Sequence, residues 1–135
     1  MTRVFVDTSA WYAVIDRADA DHAFATAILA RLTGDATRLV TTSLILAELH
    51  RLMLYRSHRR AAADAINRIV GTPRVDVEHT DAGDLAAAIA WIERFADQDF
   101  TLTDASSFAV MDRLAIRRAF AFDHDFAVAG FELVV

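Results

Sequence analysis

The feature that most constrains this chain is a short apolar run that stops on a carboxylate, Arg3-Val4-Phe5-Val6-Asp7-Thr8-Ser9. Val4, Phe5 and Val6 show no polar alternation, so they suit a strand covered on both faces, as in a parallel sheet between helices. Thr8 and Ser9 are good helix N-caps, and Ala10 to Ile15 continue as a first helix. Asp7 is therefore expected at the carboxyl end of a central strand, where open parallel sheets place their ligands. A strand-end Asp also serves often as a turn or cap residue, and other residues must decide between the two roles.

The same grammar recurs down the chain. Leu39-Val40-Thr41 reads as a second strand, and Thr42 or Ser43 caps the helix that follows. Val75 and Val77 alternate with Asp76 and Glu78, which suggests a third strand nearer an edge. Ala119-Phe120-Ala121-Phe122 is a fourth, apolar throughout, ending in Asp123-His124-Asp125-Phe126; Leu133-Val134-Val135 makes a small terminal strand. Between them, helical spacing predicts a helix to about Leu32 closed by Gly34, and one from Arg60 to Val70 stopped by Gly71-Thr72-Pro73. Thr80 or Asp81 caps a helix reaching Phe95, and Thr103 caps another that places Asp104 in its first turn. Strand alternating with helix implies right-handed crossovers, hence a three-layer α/β/α sandwich around a mostly parallel sheet of four to five strands. No linker or repeat divides residues 1–135, so a single domain is expected, with a hydrophobic fraction of 55% to fill its core.

Composition removes competitors. The net charge is −5 and all 14 basic residues are Arg. Without Lys, phosphate loops of the Walker type, response-regulator receivers and haloacid-dehalogenase-type phosphatases each lose a required group. Without Cys, disulfides, thiolate zinc sites and thiol nucleophiles go together, and a cytoplasmic location is the simplest reading. No apolar run approaches the roughly 18 residues of a membrane span, and Asp7 interrupts the first apolar stretch too early for a secretory signal.

The chemistry then rests on acids. Glu48 sits among Leu44, Ile45, Leu46, Leu49 and Leu52 on an otherwise apolar helix. An ionised Glu there costs several kcal/mol unless compensated, either by an ion pair with Arg51 or another Arg, or by facing the cleft of Asp7 and sharing a cation. Asp104 is explained as a helix cap or as a ligand; Asp99 is either a supporting acid or a surface turn residue. The sandwich geometry brings Asp7, Asp104 and Asp123 to one end of the sheet, with Glu48 entering from its helix. Four neighbouring carboxylates repel and would have raised pKa values unless divalent cations neutralise them. Oxygen ligands alone favour Mg²⁺ or Mn²⁺ over zinc, and the histidines lack an HExxH-type spacing. Such a site aligns and activates water for in-line attack on a phosphodiester. Asp7 and Asp104 are expected to bind the principal metal, with Glu48 and Asp123 completing the site; Thr8, Ser9 and Ser107 could orient the carboxylates. Arg51, Arg56, Arg59 and Arg60 form a basic segment that either holds phosphates of a substrate or is a solvated helix face.

Asp7-Thr8-Ser9, Glu48, Leu102-Thr103-Asp104-Ala105-Ser106-Ser107-Phe108 and Ala121-Phe122-Asp123-His124-Asp125-Phe126 together resemble a PIN domain, most closely the VapC toxins of bacterial VapBC modules. The resemblance spans the chain. It implies a Mg²⁺- or Mn²⁺-dependent endoribonuclease cutting structured RNA, commonly transfer or ribosomal RNA. It also implies a homodimer silenced by a cognate VapB antitoxin whose C-terminal segment covers the acidic cleft. Many relatives carry Thr two residues before the fourth acid, where this chain has Ala121; Asp123 fits that fourth position, with Asp125 as the rival. A PIN-like nuclease in RNA maturation or DNA processing, and a non-catalytic binding module on the same scaffold, are the alternatives.

Overall fold

In the computed structural model, which describes residues 2–134, a parallel sheet runs between two helical layers. In chain order the elements are β1 (Arg3–Val6), α1 (Thr8–Ile15), α2 (His22–Gly34), β2 (Arg38–Thr42), α3 (Ser43–Arg56) and α4 (Arg59–Val70). There follow β3 (Val75–Glu78), α5 (Ala82–Arg94), α6 (Leu102–Arg113), β4 (Arg118–Phe120), α7 (Asp125–Val128) and β5 (Glu132–Leu133). The strand order is β3-β2-β1-β4-β5, and every pairing is parallel. This is the expected α/β/α sandwich, with β1 central and β3 at an edge; Val135 of the expected terminal strand lies outside the described residues.

Val4, Phe5 and Val6 are fully buried, which is why that strand needs no polar face. Behind the sheet Phe108 is the hub of an aromatic cluster, touching Trp91, Phe100, Phe126 and Phe131 with ring centroids 5.1–5.6 Å away. Trp11 Nε1 donates to Thr41 Oγ1, which donates to the Val6 carbonyl, so the buried polar atoms between β1 and β2 satisfy one another. A second internal tie is the two-pronged pair of Arg113 with the buried Asp84, at 2.8 and 3.0 Å, which locks α5 to α6.

Several boundaries differ from the sequence expectation, each for a backbone reason. Asp7 itself, not Thr8 or Ser9, caps α1, taking the Ser9 N–H. Thr101, not Thr103, caps α6, so Asp104 is the third helical residue. The strand β4 ends at Phe120, two residues earlier than expected, and Phe122 turns away to meet Ser9. Gly34 is the last residue of α2 rather than its left-handed terminator. That conformation falls on Ala36, at φ 56°, with Thr37 N–H closing back on the Leu32 carbonyl. The same closure ends α6 at Ala115 and α7 at Gly130, and only the last of the three is the residue such a turn prefers.

Candidate metal centre

At the carboxyl end of the sheet a cleft of about 370 Å³ is lined by Asp7, Glu48, Asp104 and Asp123, together with Thr8, Ser9, Tyr12, Asp19, Asp21, Arg56, Thr101 and Phe122. Three of the four acids, Asp7, Asp104 and Asp123, are placed by backbone interactions. Asp7 follows the last residue of β1, and its N–H donates to the Phe120 carbonyl of β4. Asp104 completes a capping box: its N–H donates to Thr101 Oγ1, and its Oδ2 accepts from the Thr101 N–H. Asp123 accepts the Asp125 N–H at 2.9 Å, which fixes the turn into α7.

Hydroxyl groups couple the acids. Ser9 Oγ donates to Asp7 Oδ2 at 2.7 Å and accepts from the Phe122 N–H at 3.0 Å, so one side chain registers Asp7 against the segment carrying Asp123. Thr8 Oγ1 donates to Glu48 Oε1 at 2.5 Å, tying α1 to α3. Among the described residues Glu48 has no arginine partner. The ion-pair explanation is therefore replaced by a hydroxyl contact and exposure to the cleft. Ser107 does not reach a carboxylate; its hydroxyl donates to the Thr103 carbonyl one turn back.

The tightest grouping differs from the pair singled out in sequence. One carboxylate oxygen from each of Asp104, Asp123 and Asp125 lies within 4.8 Å of the other two. Asp7 borders the same cleft outside this triple, coupled to it through the charge of Asp123. Asp123 and Asp125 thus both belong to the cluster, and Asp123 is the one that also lines the cleft. Asp99 is exposed, near enough to Asp125 to raise its pKa. The arginines separate: Arg56 reaches the cleft rim, lying 5.1 Å over the Tyr12 ring, while Arg51, Arg59 and Arg60 lie outside. Tyr12, Asp19, Asp21 and Thr101 escaped the sequence reading. Only the clustering of acids in Asp16–Asp21 hinted at any of them.

The electrostatics are those of a site short of positive charge. Burial pushes Asp7 up to about 6, against the lowering effect of its Ser9 hydrogen bonds, and the charges of Asp123 and Glu48 add to the rise. Asp104 is pushed up to about 7, again chiefly by burial, with Asp123 and Asp7 contributing. Asp125 is raised for the same reasons. Carboxylates held close in one cleft, none of them in a salt bridge among the described residues, fit a hard divalent cation in number, atom type and charge.

A parallel α/β/α sheet whose strand ends deliver acids to one water-accessible cleft has the build of a metal-dependent phosphodiesterase. Comparison with known proteins narrows this: the PIN domain family model matches residues 4–132, and the chain belongs to that family. Over 129 residues, 95% of each chain, it is 37% identical to the 23S rRNA-specific endonuclease VapC20 of Mycobacterium tuberculosis, which places it on the VapC branch. The crystal structure of VapC20, described as a sarcin-ricin loop cleaving toxin, superposes with a TM-score of 0.84 at 36% identity over 95% of both chains. The VapBC2 structure from Rickettsia felis, bound to a promoter DNA fragment, shares the fold alone. It has a TM-score of 0.74 at 11% identity, over 98% of this chain and 97% of that one. PIN nucleases generally depend on divalent metals, and the acidic cluster here accords with that.

Proposed function

We propose that this chain is the toxin of a VapBC-type module, a Mg²⁺- or Mn²⁺-dependent endoribonuclease that cuts structured RNA. Ribosomal RNA is the first substrate to test, because that is what the 37% identical relative is named for. The observation carrying the reading is the meeting of Asp7, Glu48, Asp104 and Asp123, from four separate segments, in one cleft without a compensating Lys.

Asp7, Asp104 and Asp123 would hold the cation, with Asp125 supporting the last two. A divalent cation supplies a lowered pKa for an attacking water and neutralises charge on the phosphate under attack. The protein's own groups do the rest. Ser9 keeps Asp7 and the Asp123 segment in register. Glu48 has Oε1 held by Thr8 and keeps Oε2 to accept the proton of the attacking water. Arg56, stacked on Tyr12 at the rim, meets the phosphate flanking the scissile bond. The protein would work as a cytoplasmic homodimer, and a VapB-type antitoxin would silence it by covering the acidic cleft. Among the described residues no helix is long and apolar enough to cross a membrane.

The test is cleavage of purified ribosomal and transfer RNA with Mg²⁺ or Mn²⁺, repeated with EDTA and with Asp7→Asn and Asp104→Asn. Discrete cleavage that needs both the cation and the acids is expected. Equal cleavage by either variant would overturn the assignment. Mapping RNA ends in cells after induced expression then identifies the substrate.

A further inference from the structure

The acidic cleft continues along one helix. Residues spaced three, four and seven apart share a helical face, and on α3 these are Glu48, Arg51, Leu52 and Tyr55. They line a shallow groove of about 270 Å³ that shares Glu48 and Leu52 with the carboxylate cleft. From Glu48 to Tyr55 the stripe climbs about 10 Å at 1.5 Å per residue.

At its outer end Tyr55 is 86% exposed, far more than any other large apolar side chain described. Among the described residues no aromatic ring or guanidinium stacks on it, whereas Tyr12 is stacked by Arg56. The groove also carries a cation. Arg51 lines it and has no carboxylate in salt-bridge reach among the described residues. A chain of net charge −5 thus places an unpaired arginine in the groove that adjoins its acidic cleft.

We propose that this groove is a nucleobase subsite, in which an unpaired base of the RNA stacks on Tyr55 while Arg51 meets a neighbouring phosphate. The inference rests on the ribonuclease reading, since it takes the backbone in the cleft as its starting point. An exposed π-face beside a cationic track is the standard means of holding single-stranded nucleic acid, tolerant of sequence because every base offers a π-face. Proteins reading structured RNA take hold of splayed loop bases in this way. The reach is right: about 10 Å spans roughly three stacked nucleotides at 3.4 Å each. An apolar peptide suits the groove less well, because only Leu52 and the Tyr55 ring offer apolar surface beside the charged Glu48 and Arg51.

Two measurements test this on the intact chain. In the first, a short single-stranded RNA carrying 2-aminopurine is titrated in EDTA, so that fluorescence quenching reports stacking without cleavage. In the second, KM and kcat are measured on ribosomal RNA with Mn²⁺. Wild type and Tyr55→Phe are expected to quench alike. Tyr55→Ala should bind roughly 5- to 150-fold more weakly, the loss of one base stack, and should raise KM by a similar factor with kcat within about twofold. A side chain this exposed is not needed for folding, and circular dichroism checks that. Quenching and KM unchanged in Tyr55→Ala would overturn the subsite while leaving the ribonuclease reading intact. So would an effect of Tyr55→Ala on dimerisation or on antitoxin affinity alone. Quenching that needs Tyr55, from a wild type that cleaves no RNA, would keep the subsite and sink the ribonuclease.

Discussion

Replacing Asp7 by Asn should make the metal-free protein more stable and, at the same time, inactive. Asp7 is 3% exposed, and its pKa rises from 3.8 to about 6 on folding. The sign follows from the linkage of protons to folding. Between these two values the unfolded chain has released its proton while the folded chain still holds it, so stability falls as pH climbs through the window. Above about 6 the full penalty applies. A gap of about 2 pH units at 1.36 kcal/mol each is about 3 kcal/mol at pH 7.5, shrinking to about 0.5 kcal/mol near pH 4. Asn keeps an oxygen for the Ser9 N–H and hydroxyl, so the α1 cap survives, though the neutral amide bonds give back about 1 kcal/mol. A net gain of about 2 kcal/mol at pH 7.5 is therefore expected, turning into a loss of about 0.5 kcal/mol near pH 4. Urea unfolding followed by circular dichroism, in EDTA at both pH values, measures it. Added Mn²⁺ should reverse the order, because only the wild type is stabilised. An Asn variant that is no more stable at pH 7.5, or whose gain is the same at pH 4, would refute the idea that desolvated negative charge dominates the cleft.

Three further outcomes follow. Mg²⁺ or Mn²⁺ at 100 times its dissociation constant should stabilise the wild type by about 2.7 kcal/mol. The effect should weaken from pH 7.5 to pH 5.5, as Asp104 and Asp7 take up protons below about 7 and about 6; equal stabilisation at both pH values would contradict these acids as ligands. Ala36→Gly and Ala115→Gly should each raise stability by about 0.5–1 kcal/mol, since both positions hold a left-handed backbone that strains an alanine; a loss in thermal unfolding would show the turns relaxed. Arg113→Ala should cost about 2 kcal/mol in urea unfolding by leaving the buried Asp84 charge without its cation, and the cost should shrink as acid protonates Asp84, whose carboxyl the Arg113 guanidinium holds below the usual carboxylate range.

How far the sequence could be read depended on how local the signal was. The strand–carboxylate boundary at Asp7 was legible because an unbroken apolar run ending in Asp leaves little freedom about where the strand must go, whereas the apolar run before Asp123 overran its strand by two residues. Which residue caps which helix was not. Two hydroxyls sit near the start of α6, and the choice of Thr101 over Thr103 is made by the Asp104 side chain reaching back to a backbone N–H. The left-handed turns after α2 and α6 fell on Ala36 and Ala115, where nothing in composition marks them, because tertiary closure outweighed local preference. The partner of Glu48 was equally hidden, since Thr8 lies 40 positions away and meets it only once α1 and α3 pack. Tyr12 and Arg56 show the same limit, as they stack only once α1 packs against α3, which no periodicity encodes.

The backbone explains how so much negative charge can be assembled at all. Asp7 caps α1, Asp104 closes the capping box of α6, and Asp123 anchors the turn into α7. Each accepts an N–H hydrogen bond and so has a folding reason to be where it is, and at Asp7 and Asp104 those bonds favour the ionised form. At Asp7 and Asp104 burial nevertheless outweighs those bonds, and both acids end above their ordinary range. The caps therefore position the carboxylates without satisfying them. What is left over is a rigid set of oxygens whose unmet demand is for positive charge, and the cap residues need no rearrangement to meet a cation. Such a site should bind its metal with little structural change. Hydrogen exchange at α1 and α6 should accordingly slow uniformly on adding Mn²⁺, through global stabilisation, rather than locally through the ordering of a loop.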